Sequence, residues 1–170
     1  MKNLVVLLLL ALSFFGLTEA YSQDNSDDNL PDKTNSLKPR PSGPSVAGIF
    51  GGRCGCQELA KELKITVSPE CFKTKWSLIL LQNPETLAPT TYQLEGTFYR
   101  QAIRKGKWHI LKGTKTNPDA IVYQLDSDNG QEKILLLKGD DNVLFFLDKN
   151  RNILVGSELF SYSINRVRTE

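Results

Sequence analysis

Three cysteines, Cys54, Cys56 and Cys71, fall within one short stretch and are the side chains best suited to chemistry in this sequence. In an oxidising compartment, two thiols that can meet become a disulfide. Cys54-Gly55-Cys56 brings two of them too close along the chain for an unstrained bond between them. Cys71 is therefore expected to bridge to one of the pair, and Cys56 with Cys71 is the favoured pairing. That bridge would close a loop of about fifteen residues and contribute about 3 kcal/mol if it acts through the entropy of the unfolded chain. The competing chemistry is metal binding, with reduced Cys54 and Cys56 as soft ligands for Cu(I) or another thiophilic ion. One histidine, and no methionine after Met1, leave few residues to complete a tetrahedral set. A free reactive thiol and an intermolecular disulfide remain as further fates of the third cysteine.

Other reactive types are less well placed. His109 sits between Trp108 and Ile110 on an expected strand, facing away from both, where an isolated histidine is an ordinary solvated residue. A Cys-His nucleophilic pair with Cys54 or Cys71 has no local signature. Ser157 follows Gly156 without the second glycine of a nucleophile elbow. Two acidic loops, Asp126-Ser-Asp128-Asn-Gly130 and Asp148-Lys-Asn150-Arg-Asn152, fail the calcium-loop pattern in their glycine and closing positions. Their Asp and Asn side chains are expected to bond their own backbone in turns. Among the aromatics, Trp76, Phe98, Trp108, Tyr123 and Phe145 are candidates to line a ligand-holding barrel, or else to fill a packed one.

The elements that must position these residues are legible from punctuation and alternation. Residues 1–20 carry Lys2, an apolar run from Val5 to Phe15 and Thr18-Glu19-Ala20, the layout of a secretory signal peptide. That run is shorter than the roughly 20 residues a bilayer-spanning helix needs, so an exported, unanchored protein is expected, periplasmic or secreted. Residues 21–46 are rich in Asp, Asn, Ser, Lys and Pro, the composition of a flexible linker. A globular region is expected over 47–170, opening at Ala47-Gly48-Ile49-Phe50.

Within it, Gln57 to Leu63 reads as one short helical turn, with Leu59 and Leu63 on one face. Strand-like runs follow at Trp76–Leu81, Thr91–Tyr99, Lys107–Leu111, Ile121–Leu125, Lys133–Leu137, Val143–Leu147, Ile153–Val155 and Phe160–Val167, each bounded by Gly, Asn, Asp or Pro. Tyr92, Leu94, Gly96 and Phe98 alternate with polar neighbours, as on a half-buried strand. Ile134–Leu137 and Val143–Leu147 are apolar on both faces. The sum is an all-β fold, a small antiparallel up-and-down barrel of lipocalin-like or OB-like type, with a sandwich as the other architecture. Net charge is only +2 and the basic residues are dispersed, so nucleic acid is not an expected partner.

Several motifs of the second half then become familiar: Leu94-Glu-Gly-Thr-Phe98, Gly106-Lys-Trp108, Val122-Tyr-Gln-Leu125, Leu144-Phe-Phe-Leu-Asp148 with Asn150-Arg-Asn-Ile153, and Phe160-Ser-Tyr-Ser-Ile-Asn165. Together they resemble the N-terminal domain of the NlpE-like copper-resistance lipoproteins of the bacterial envelope. The resemblance implies a small envelope barrel tied to surface sensing and copper stress, with another envelope protein as its partner. This chain departs from that pattern: it has no lipobox cysteine before Cys54, and Cys54-Gly55-Cys56 stands in place of Cys-x-x-Cys. A second C-terminal domain, found in some members, is not expected here. The expected function is an exported, non-enzymatic binding or stress-response module, copper-responsive through Cys54 and Cys56. The alternatives are a lipocalin-type barrel for a small apolar ligand and a purely structural or protein-interaction domain.

Overall fold

A computed structural model describes residues 40–99, 102–130 and 132–167. The expected signal peptide and residues 21–39 of the expected linker lie outside the described residues. Among the described residues, eight strands run in sequence order around a closed antiparallel barrel. They are β1 (Val46–Gly55), β2 (Lys73–Gln82), β3 (Pro89–Gly96), β4 (Arg104–Lys112), β5 (Ile121–Ser127), β6 (Lys133–Lys138), β7 (Val143–Leu147) and β8 (Ser163–Arg166). A short helix, α1 (Gln57–Glu62), interrupts the β1–β2 connection, and a 3-10 turn, Thr97–Tyr99, follows β3. This is the up-and-down form of the expected barrel, and closure sets the sandwich aside. The seam is narrow: β1 meets β8 at Phe50 with Arg166 and Gly51 with Asn165, and the Val167 amide donates to the Ile49 carbonyl at 2.8 Å. No helix among the described residues is long and apolar enough to cross a membrane.

Alternation decides which side chains enter the lumen. On β2, Thr74, Trp76, Leu78 and Leu80 are buried while Lys73, Lys75 and Ser77 face water, the period of two that a one-sided strand requires. Cross-strand register carries this choice to Tyr92 and Leu94 of β3, which pair with Leu80 and Leu78, and onward to Trp108, Leu125 and Ile134. Glycine takes two inward positions where neighbouring backbone crosses closely. A Cβ on Gly106 would lie on the Asp126 carbonyl, and one on Gly52 would come 2.9 Å from the Ser163 carbonyl oxygen. The lumen is thus narrowed by backbone as well as filled by side chains.

One end of the barrel is stapled. Cys56 and Cys71 form a disulfide with Cα atoms 5.7 Å apart, the favoured of the two pairings open to Cys71. It closes the loop that carries α1, and Gln57 Nε2 reinforces it by donating to the carbonyls of Ser68, Pro69 and Cys71 at 3.0 to 3.1 Å. Six residues are too few for a helix to stand alone in water. α1 persists because Leu59, Ala60 and the following Leu63 are buried against the barrel end.

β1 and the β7–β8 connection depart from the sequence reading. β1 runs ten residues, well past the four that open the globular region, because its glycines carry little strand signal. Ile153–Val155 is no strand; only Ile153 bridges, to Leu147. Residues 148–153 instead form a hook that turns back beside β7. Asp148 holds it as an Asx turn, its carboxylate accepting from the amides of Asn150 and Asn152 at 2.8 Å. The Arg151 guanidinium ties it to the Lys112 and Gly113 carbonyls at 3.0 Å. Cover from this hook explains why the outward-facing Leu147 of β7 is buried, and hence why β7 is apolar on both faces.

Candidate functional site

The five aromatic candidates do not surround a common void. Trp76 lies in the packed core, with ring centroids 4.9 Å from Phe146 and 5.9 Å from Phe98. Trp108 is also buried, stacked edge-on to Tyr123 at 5.1 Å, and its indole N–H donates to the Leu81 carbonyl at 2.6 Å. Phe98 belongs to the 3-10 turn and is half-buried. Phe145 must be corrected. Its neighbours Leu144 and Phe146 are buried on the inward face of β7, so alternation turns Phe145 outward, toward Gly139. The inward residue is Phe146.

Nor do the cysteines form a soft-ligand pair. Cys56 is consumed in the disulfide, leaving Cys54 as a buried free thiol that donates to the Ser163 carbonyl at 3.7 Å. Burial pushes this thiol up to about 12, so it is protonated at neutral pH and lacks the thiolate of a reactive cysteine. Among the described residues, no group of three or more His, Cys, Asp and Glu side chains is placed to hold a metal. Copper chemistry through Cys54 and Cys56 does not fit these residues. His109 lies on the outer face, 3.4 Å from Asp126 and half exposed.

Two polar clusters that sequence reading missed occupy the α1 end of the barrel. Arg104 is buried, with Nε donating to the Tyr92 hydroxyl at 3.2 Å and Nη1 to that of Tyr99 at 2.9 Å. It also pairs with the Glu132 carboxylate and donates from Nη2 to the Glu132 carbonyl at 2.9 Å. Burial works against its charge, but Tyr99, Tyr92 and Glu132 more than offset this and hold the guanidinium ionised. Every donor direction used here is matched, which marks a structural plug. Nearby, the Tyr162 hydroxyl donates to Glu58 on α1 at 2.7 Å. No single residue announces either cluster; each is assembled by the register of distant strands.

Beside them lies a groove with room for a ligand. A groove of about 730 Å³ runs between α1 and the adjoining faces of β6, β7 and the hook. Its floor is apolar: Leu59 and Leu63 from the helix segment, Ile134 and Leu135 from β6, Phe146 and Leu147 from β7. Its rim carries Lys61, Lys64, Lys133, Lys149 and Arg151 against Glu62, Glu132 and Asp148. One wall is fixed where the Lys149 amide donates to Glu62 Oε1 at 2.7 Å. The volume is that of a small-molecule site, and an apolar floor with a few polar groups at the edge is the usual lining of one.

Comparison with protein-family models, with curated proteins and with solved structures finds no match for this chain. What stands is a class defined by the fold and the site: a closed, disulfide-stapled eight-stranded antiparallel barrel with a filled lumen and an external groove.

Proposed function

We propose that this chain is an exported, non-enzymatic binding module that takes its ligand on the outside of a packed barrel, in the groove between α1 and β6–β7. The observation that carries this reading is the contrast between lumen and groove. Trp76, Leu78, Leu94, Trp108 and Leu125 fill the lumen, whereas the groove at its α1 end, where Ile134 and Phe146 close the core, offers about 730 Å³ over an apolar floor. Export is supported by the N-terminal layout and by the disulfide, since such bonds persist in oxidising compartments. A binding role is further supported by the chemistry of the buried titratable groups, because Arg104 is committed to the plug and Cys54 is held as a neutral thiol. The resemblance to NlpE-like domains supports an envelope location for the module, with a sensing role that does not run through Cys54 and Cys56.

The test has two readouts. Protein secreted by a bacterial host should have the intact mass expected for cleavage after Ala20 and one disulfide. Methyl-resolved NMR of that protein titrated with 1-hexanol, a small neutral probe, should give saturable shifts at Leu59, Leu63, Leu135 and Leu147. Shifts gathered instead at Leu94, Leu125 and Ile164 would return the site to the lumen, and no saturable shift anywhere would end the binding reading.

A further inference from the structure

Resting on the groove as the binding site, we infer that its ligand is an anionic amphiphile: a single apolar tail ending in a carboxylate, sulfate or phosphate group. The tail half of the argument is the floor, where six aliphatic or aromatic side chains from three elements meet. Apolar surface laid over them leaves water with a favourable free energy proportional to its area.

Charge at the rim supplies the head half, and it depends on which charges are already committed. Each of the three acidic members of the rim is held by hydrogen bonds, and the five cations of the rim outnumber them. Glu132 is paired with Arg104, Glu62 accepts from the Lys149 amide, and Asp148 holds the hook through Asn150 and Asn152. Two of the cations are also in use, Arg151 on the carbonyls of Lys112 and Gly113 and Lys133 near Asp126 at 3.8 Å. Lys61, Lys64 and Lys149 are different. All three are exposed, and among the described residues they enter no ion pair. Three uncommitted ammonium groups from two separate elements therefore border one apolar trough. A neutral ligand would leave them unused, and a cationic one would meet like charge at the mouth.

The fold keeps these lysines in place. Lys61 lies on α1, and Lys64 follows it in a left-handed conformation, φ 55°, which ends the helix. Lys149 sits at the tip of the hook, its backbone fixed to Glu62. Disulfide, helix and hook thus hold both walls of the groove, and a preformed site loses little entropy on binding.

Three probes sharing a twelve-carbon tail separate the possibilities: sodium laurate, dodecyl maltoside and dodecyltrimethylammonium, each below its micelle concentration. Binding to the oxidised, exported protein is followed by calorimetry and by methyl NMR at Leu59, Leu63, Leu135 and Leu147. Laurate should bind in the groove at least about tenfold more tightly than either other probe, and lose that advantage in Lys61→Gln/Lys64→Gln/Lys149→Gln. The matching triple arginine variant should keep it, which separates charge from any effect on folding. Equal binding of all three probes in the groove would overturn the anionic head while leaving the groove itself standing. Failure of every probe, or shifts confined to the lumen, would overturn both.

Discussion

Tyr162, just before β8, donates its hydroxyl proton to Glu58 of α1 at 2.7 Å, a contact spanning 104 residues of sequence. It links the last strand to the helix that caps the first. Gly55 makes room for it, since a Cβ there would come 2.8 Å from the Tyr162 oxygen. The hydrogen bond holds the Glu58 carboxyl below its ordinary range, while burial, and then Glu58 itself, push the Tyr162 hydroxyl well up.

A carboxyl whose folded value is depressed stabilises the fold above its unfolded value, and that contribution is lost as pH falls through the folded one. As pH falls from the ordinary 4.5 of a free Glu toward that lower value, the contribution of the Tyr162 contact to stability should decline. Tyr162→Phe keeps the ring and removes the bond. Its Glu58 carboxyl carbon, followed by NMR titration, should move upward toward the ordinary range, and its acid unfolding should lose the part of its pH dependence that Glu58 supplies. An unchanged Glu58 titration would mean that the contact is not made in solution.

Cys54 should behave as a silent thiol. Buried and pushed up to about 12, it should not react with a thiol reagent in the native state, and one thiol per chain should appear on denaturation without reductant. Alkaline pH supplies a second check. Above the ordinary 9.0 and up to about 12, the unfolded chain releases a proton that the folded chain retains, so stability falls as pH rises through this window. Cys54→Ala should show a shallower decline than the parent. Rapid native-state labelling would place the thiol at the surface and reopen its chemistry.

How far the sequence foretells this molecule follows from which signals are local. Turns and alternation are local, so β2, β4, β5 and the Asp and Asn turns were readable, as in Asp140, whose carboxylate accepts from the amides of Asn142 and Val143. Spacing narrows the bridge to Cys71 with Cys54 or Cys56, and the favoured Cys56 is the partner used. Val143–Leu147 has no polar residue to set its phase, and an inward Phe146 reads the same as an inward Phe145 until β6 and β8 fix the register. Arg104, fifth in a stretch of mixed polarity after Tyr99, shows its role only when β3 and the β5–β6 turn bring Tyr92 and Glu132 to it. The groove belongs to the same class, because its walls come from segments more than eighty residues apart joined by Glu62 and Lys149.

The two tryptophans offer a matched comparison. Both are buried, Trp76 at 4% exposure and Trp108 at 3%, yet Trp108 Nε1 donates to Leu81 while Trp76 Nε1 meets no acceptor among the described residues. Trp108→Phe removes a hydrogen bond and strands a carbonyl as well as shrinking the core. Trp76→Phe shrinks the core and relieves an unmatched donor. Urea unfolding should therefore rank Trp108→Phe as the more destabilising by about 1 kcal/mol. The reverse order would show that the Trp76 indole has a partner in solution that Phe cannot replace.

Arg104 and Glu132 should be coupled, because each removes a penalty created by the other. With side chains 6% and 31% exposed respectively, the pair is dry enough that an unmatched guanidinium is expensive, but not so dry that the full cost of a deeply buried charge applies. Glu132→Ala leaves Arg104 with the Tyr92 and Tyr99 hydroxyls and no counter-charge, and should cost about 2 kcal/mol. Arg104→Met leaves both hydroxyls and a carboxylate without their donor. In the double variant the stranded charge is gone from both sides, so its loss of stability should fall short of the summed single losses by about 1 kcal/mol or more. Strict additivity in that cycle would mean that the plug is held by Tyr92 and Tyr99 alone, and that Glu132 is free to serve the rim of the groove.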